Sequence, residues 1–194
     1  DRYATAATIS TTYFKPGVNV LYVAQGLNFP DALVGAAAAG HAGAPVLLVA
    51  PNAIPAATRA AITTLAPKSI KVLGSSGAIS DAVFAGLQKL TKGSVKRLGG
   101  SDRYATAVAI SQDAYPGTPH VATLYVASGA NFPDALSGAA LGGALMLVPA
   151  GTVPSAVLTE IKRLDPGRVV FLGGPTSVSY STELVIHQAV SGAS

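Results

Sequence analysis

Two arginines occupy the same short string, Asp1-Arg-Tyr-Ala-Thr-Ala and Asp102-Arg-Tyr-Ala-Thr-Ala, and each string is followed by a Gly-x-Asn-Phe-Pro-Asp-Ala-Leu segment, Gly26 to Leu33 and Gly129 to Leu136. The chemistry such a set can do is recognition. Arg2 and Arg103 carry planar forks of donors suited to phosphate or carboxylate oxygens. Asn28 and Asn131 can both give and accept hydrogen bonds with hydroxyls. Asp31 and Asp134 can accept from hydroxyls, although an acid in the first turn of a helix is also the ordinary partner of its dipole. An arginine at a helix start opposes that dipole by ~0.3 to 1 kcal/mol. Its presence in both copies therefore asks for a nearby carboxylate, with Asp1, Asp31, Asp102 and Asp134 as candidates, or for an anionic ligand.

Groups that transform a ligand are scarce. His41, His120 and His187 fall at non-equivalent places, and no two histidines stand four apart as zinc ligands on a helix do. Ser128 follows an apolar run, but Gln25 takes its place in the first copy and no glycine-flanked nucleophile motif encloses it. Gly99-Gly100 and Gly173-Gly174 follow apolar runs, where main-chain N–H groups could meet a phosphate. Neither doublet lies in a dinucleotide fingerprint, and Gly74 is followed by Ser75 and Ser76. With no cysteine, disulfides, thiolate metal sites and Cys nucleophiles are excluded. The expectation is binding without catalysis, cofactor or metal.

The elements that position these residues repeat as well. The offset is 101 between Asp1 and Asp102, 103 between Leu21 and Leu124, and 99 between Pro55 and Pro154. That period suits a small domain and not one turn of a solenoid. Apolar runs at Val18 to Ala24, Pro45 to Ala50 and Ile70 to Leu73 read as buried strands, matched by Val121 to Ala127, Ala144 to Val148 and Val169 to Leu172. Between them, Pro55 and Pro154 suit first turns of helices, Pro67 and Pro166 suit the residues just past their ends, and Ser80 and Ser179 suit N-caps. Strands alternating with helices predict an α/β fold, two tandem three-layer Rossmann-like units with mainly parallel sheets. The motif segments then lie at the strand C-terminal edge, where open α/β sheets bind ligands.

The units are drawn as 1–93 and 94–194, with the opening strand of the first unit missing. The extra strand Val95 to Leu98 leaves a choice: it opens the second unit or closes the first. Because the chain begins inside a motif, the expectation is an excerpt of a longer protein whose targeting segment is not included.

Composition narrows the partner. The 194 residues are 49% hydrophobic but only 11% charged, with a formal net charge of +4 and a pI near 9.4. The densest basic stretch, Lys89, Lys92, Lys96 and Arg97, is no nucleic-acid arm. It favours an anionic partner, or it is ordinary solvated surface. The absence of Trp counts against a neutral-sugar stacking site. The longest apolar stretch, Ala32 to Ala50, is broken by Gly40, His41, Gly43 and Pro45, so no membrane insertion is expected.

The segments Arg97-Leu-Gly-Gly-Ser-Asp-Arg-Tyr-Ala-Thr-Ala, Ala127-Ser-Gly-Ala-Asn-Phe-Pro-Asp-Ala-Leu and Phe171-Leu-Gly-Gly-Pro-Thr-Ser-Val-Ser, in that order, resemble the cell-wall-binding repeat type 2 family. The resemblance covers almost the entire chain, twice. It implies Toprim-like or Rossmann-like units in a surface protein of Gram-positive bacteria. It further implies an extracellular location at the cell wall, where such repeats hold a separate domain non-covalently on an anionic secondary wall polymer. Clostridial members pack three repeats into a triangle, whereas two are present here. The family's Pro-Ile-Leu-Leu stretch stands as Pro45-Val-Leu-Leu in copy one and Leu145-Met-Leu-Val in copy two.

The leading expectation is thus a polymer-binding module for a teichoic-acid-like or other phosphate-bearing glycan, with Arg2, Asn28, Asp31, Arg97, Arg103, Asn131 and Asp134 as candidate contacts. The second is a surface scaffold that self-associates or packs with a further repeat. The third is an enzyme of phosphoester or nucleotide chemistry. No nucleic-acid partner is expected.

Overall fold

Period-two alternation along one strand decides the layering. The structure is a computed structural model and describes residues 1–131, 133–139 and 143–192. In the first half of the chain α1 (Arg2–Tyr13), β1 (Leu21–Gln25), α2 (Pro30–Ala42) and β2 (Val46–Val49) are followed by α3 (Ala56–Leu65), β3 (Ser69–Leu73), α4 (Asp81–Gln88) and β4 (Ser94–Leu98). Leu21 and Val23 of β1 enter one core with residues of α1, α3 and α4, while Tyr22 and Ala24 enter a second core with α2. Helices therefore cover both faces of a sheet whose strands are all parallel, ordered β2-β1-β3-β4.

The second half repeats the pattern with α5 (Arg103–Ala114), β5 (Leu124–Ser128), α6 (Pro133–Ala139), β6 (Ala144–Val148), α7 (Ser155–Leu164), β7 (Val169–Leu172) and α8 (Tyr180–Ser191). Its parallel sheet runs β6-β5-β7. The strand around Val95 to Leu98 hydrogen-bonds to β3 at the edge of the first sheet, after which the chain enters α5.

The two units are not separate globules. Helix α2 of the first packs on α5, α6 and β6 of the second. One apolar cluster accordingly runs from Tyr22, Leu33 and Ala37 to Ile110, Val126 and Leu147. The alanine-rich stretch of α2 allows this close approach. At the other end of the same seam, Asp113 on α5 meets Lys71 on β3 and, at 2.8 Å, Lys96 on β4.

The helix punctuation follows the sequence. Ser80 and Ser179 cap α4 and α8, accepting from Val83 and Thr182 N–H at 3.4 and 3.3 Å. Pro55 and Pro154 occupy the N-cap positions of α3 and α7, while Ala66 and Asp165 close those helices in left-handed conformation just before Pro67 and Pro166. The strands β1 and β5 begin three residues later than the apolar runs suggest. Val18 and Val121 are tied instead to the ends of α3 and α7, their N–H groups donating to Leu65 and Leu164 carbonyls. No described helix is long and apolar enough to cross a membrane.

Candidate ligand groove and the motif residues

Each Asp-Arg-Tyr string starts a helix. Asp1 caps α1 by accepting from Ala4 N–H at 2.8 Å, and Asp102 caps α5 by accepting from Tyr104 and Ala105 N–H at 2.9 and 2.8 Å. Both caps are used up within their own helix. Arg2 and Arg103, at the first helical position, turn away and donate to the carbonyls of Gly26 and Gly129 just past β1 and β5. Among the described residues neither guanidinium lies within ion-pair distance of a carboxylate. The partner that offsets the helix dipole is thus a strand-end carbonyl, which the sequence did not suggest.

Those glycines are required by closeness. A Cβ on Gly26 would stand 2.7 Å from the Tyr3 ring, and one on Gly129 would stand 2.6 Å from the Tyr104 ring. Arginine, tyrosine and glycine of the two motifs thus form one packed joint in each unit.

The copies differ in what surrounds that joint. In the first unit Arg2, Leu27 and Asn28 are exposed and border an open groove of about 280 Å³ whose floor includes Phe29, Ala32 and Leu48. Leu48 is the last residue of the Pro45-Val-Leu-Leu stretch, and it is half-buried while Leu47 and Val49 are fully buried. In the second unit α2 covers the corresponding surface: Leu147 and Ala135 are buried and Arg103 is half-buried, although Asn131 stays exposed. All of β6 is buried. Phe132 lies outside the described residues.

The other candidates hold the loops. Asp31 lies against Gly74, where a Cβ would stand 2.6 Å from Oδ2. Burial pushes its carboxyl above the usual carboxylate range, and the nearby positive charge of Arg103 opposes that shift. Asp134 takes the same position over Gly173 and accepts from Ser177 Oγ at 2.9 Å. The equivalent of Ser177 in the first unit is Ala78, so Asp31 lacks that donor. Arg97 donates to the carbonyls of Gly74 and Ile79 at 3.2 and 2.9 Å, pairs with Asp81 at 3.1 Å and lies over the Phe84 ring at 4.9 Å.

The Gly100 N–H is taken up inside the chain, and Gly99 is packed against the neighbouring loop. Gly100 N–H donates to Thr106 Oγ1 at 3.0 Å, and a Cβ on Gly99 would fall 2.6 Å from the Gly74 carbonyl carbon. Ser128 is buried and accepts from Ala130 N–H at 3.2 Å. His41 stacks on Tyr115 with centroids 4.4 Å apart, His120 pairs with Asp165 at 2.7 Å, and His187 meets the Phe171 edge. Among the described residues no group of three or more His, Cys, Asp or Glu is placed to hold a metal ion.

A duplicated parallel α/β unit with an arginine joint at each strand edge defines a repeat-built binding module. The chain belongs to the family described as Cell wall binding domain 2 (CWB2), matching it twice, over residues 1–84 and 97–183. It is a cell-wall-binding module. It is similar to the N-acetylmuramoyl-L-alanine amidase LytC of Bacillus subtilis (strain 168), 30% identical over 173 residues, which are 89% of this chain and 32% of the amidase. It is also similar to the amidase enhancer of the same organism, 31% identical over 187 residues, 94% of this chain and 24% of that protein. Among solved structures, Cwp6 from Clostridium difficile superposes with a TM-score of 0.87 at 26% identity, covering 97% of this chain and 30% of that one. Cwp8 from Clostridium difficile gives 0.82 at 24% identity, covering 100% and 33%, and shows the fold alone. The chain thus spans about a third or less of each of these proteins.

Proposed function

We propose that the chain is a non-catalytic attachment module that binds an anionic secondary wall polymer non-covalently and so holds a larger secreted protein at the Gram-positive cell wall. The observation that carries this reading is the open groove of the first unit. There an exposed guanidinium and an exposed carboxamide, Arg2 and Asn28, stand beside the apolar Leu27 and Leu48. This pairing suits a polymer that alternates charged groups with sugar or polyol faces. Asn131 supplies a second polar contact at the equivalent edge. Asp31, Arg97, Arg103 and Asp134 act by fixing the loops and the joint between units. Two weak contacts in one chain gain through effective concentration.

Among the described residues the groove is lined by no base or nucleophile, which favours binding over turnover. The test is sedimentation with purified cell walls of the double variant Arg2→Ala/Asn28→Ala. At least about a tenfold weakening is expected from losing one charge-assisted and one neutral hydrogen bond, with unfolding still cooperative although the Arg2 bond to the Gly26 carbonyl is lost. Wild-type affinity in that variant would overturn the groove.

One observation favours the scaffold reading as a second activity. Tyr180, Leu184 and Val185 are exposed on α8, and β7 is an edge strand whose one described ladder is to β5. Association through this edge is checked by sedimentation equilibrium of wild type against Leu184→Lys. A monomer at every concentration removes this reading.

A further inference from the structure

The basic residues of the chain are sorted by the fold. Every strand runs in the same direction within its sheet, so the loops that enter strands share one edge, opposite the motif groove. The two units meet with these edges side by side, because His41 at the end of α2 stacks on Tyr115 at the end of α5. On this edge the connecting loops carry Lys15, Lys68, Lys92 and Arg168, all exposed. The helix ends there add Lys89, Lys162 and Arg163. Their acids are Asp165, Glu160 and Asp113, so the edge sums to +4, which is the whole formal charge of the chain.

Helix dipoles account for cations in or just after the last helical turn, which covers Lys89, Lys162 and Arg163. They do not account for the four loop cations, since the effect fades within that turn. Two clefts open on the same edge. One, about 300 Å³, is lined by Lys15, Asn19 and Gly43, with Lys68 Nζ donating to Asn19 Oδ1 at 2.9 Å. The other, about 580 Å³, is lined by His41, Pro119, His120 and Thr123, with Arg168 Nη2 donating to Thr123 Oγ1 at 3.3 Å. The end of α2 divides them, His41 facing one and Ala42 and Gly43 the other.

We infer that this strand-entry edge, with its two cation-flanked clefts, is a second binding surface for an extended phosphate-bearing polymer, separate from the Arg2 groove. It shares with the proposed function only the polyanionic partner. An extended chain laid across both clefts meets Lys15 and Lys68 at one and Arg168 at the other, with Lys92 along the first sheet. Field summation over several exposed cations draws in a polyanion and weakens with salt.

The test titrates the 194-residue chain with soluble poly(glycerol phosphate), and with neutral dextran as a control, at low and at physiological salt. The expected result is salt-sensitive binding of the phosphate polymer alone. Lys15→Glu/Lys68→Glu/Lys92→Glu should weaken it at least about tenfold, given roughly fivefold per basic residue beside an anionic surface. Arg168→Glu alone should weaken it about fivefold or more, and the salt-sensitive binding that survives in Arg2→Ala/Asn28→Ala should be lost when the three lysine substitutions are added, in keeping with a separate site. The inference is overturned if the wild-type chain does not bind, if the triple variant and Arg168→Glu both bind as wild type does, or if only the Arg2 and Asn28 substitutions abolish binding. In the last case the groove stands without it. Loss of wall sedimentation in the triple variant alone would instead retain this edge and remove the groove.

Discussion

Lys71 Nζ and the Asp113 carboxylate form an ion pair that fastens β3 of the first unit to α5 of the second. Lys96 on the neighbouring strand adds a second cation, and only 11% of the Asp113 side chain is exposed. In the first copy the equivalent of Asp113 is Thr12, so the acid belongs to the seam and not to the repeat. Asp113→Ala should cost about 2 kcal/mol in urea unfolding, less than a fully buried pair because both lysines reach solvent. Lys71→Met should recover part of that loss in the double variant.

The same pair sets a pH dependence. Burial pushes the Asp113 carboxyl up, but the hydrogen bonds and charges of Lys71 and Lys96 outweigh it and hold the group below its ordinary value of 3.8. Its stabilising contribution is therefore complete above the unfolded value and fades as pH falls through the lower folded one. The stability gap between wild type and Asp113→Ala should narrow as pH falls through the lowered folded value, and a gap that stays constant across the acid range would contradict the pairing.

Asp31 should behave in the opposite sense. Its folded value is raised by burial, so ionisation costs stability at neutral pH and costs nothing once the group is protonated in both states. Asp31→Asn should raise stability at neutral pH and make no difference well below the carboxylate range. Asp134→Ala should destabilise the second unit, since Ser177 Oγ then loses its acceptor. Thermal unfolding of Asp31→Asn across pH, and of Asp134→Ala at neutral pH, checks both signs.

Gly99→Ala should be more damaging than its plain sequence context suggests. The new methyl would meet the Gly74 carbonyl carbon and oxygen and the Ser75 nitrogen at 2.6 to 2.7 Å, all backbone atoms that cannot rotate aside. A loss of about 2 kcal/mol or more is expected. Unaltered stability in calorimetry would show that the two loops do not pack as described.

Much of the fold was legible because the relevant signals are local. Apolar runs marked the strands, and Ser80, Ser179, Pro67 and Pro166 marked the helix limits. The strand limits moved where Val18 and Val121 bond to helix ends, a tertiary pairing that hydropathy does not register. The motif arginines were visible as a repeated pair, but their partners were not. A carbonyl acceptor carries no residue type, so Gly26 and Gly129 gave no hint of it. Nor did repetition tell that α2 would cover one copy of the joint and leave the other open. The basic edge escaped for a related reason: Lys15, Lys68, Lys92 and Arg168 are far apart in the chain, and only the sheet directions bring their loops to one side.

The central claim, that the module holds anionic wall polymer, is tested most directly by sedimenting the chain with purified Gram-positive walls before and after the phosphate-bearing polymers are stripped from them. Binding to intact walls and at least about tenfold less to stripped walls is the expected result, as removal of the charged partner requires. Equal binding to both would contradict the account and assign the attachment to peptidoglycan or to protein.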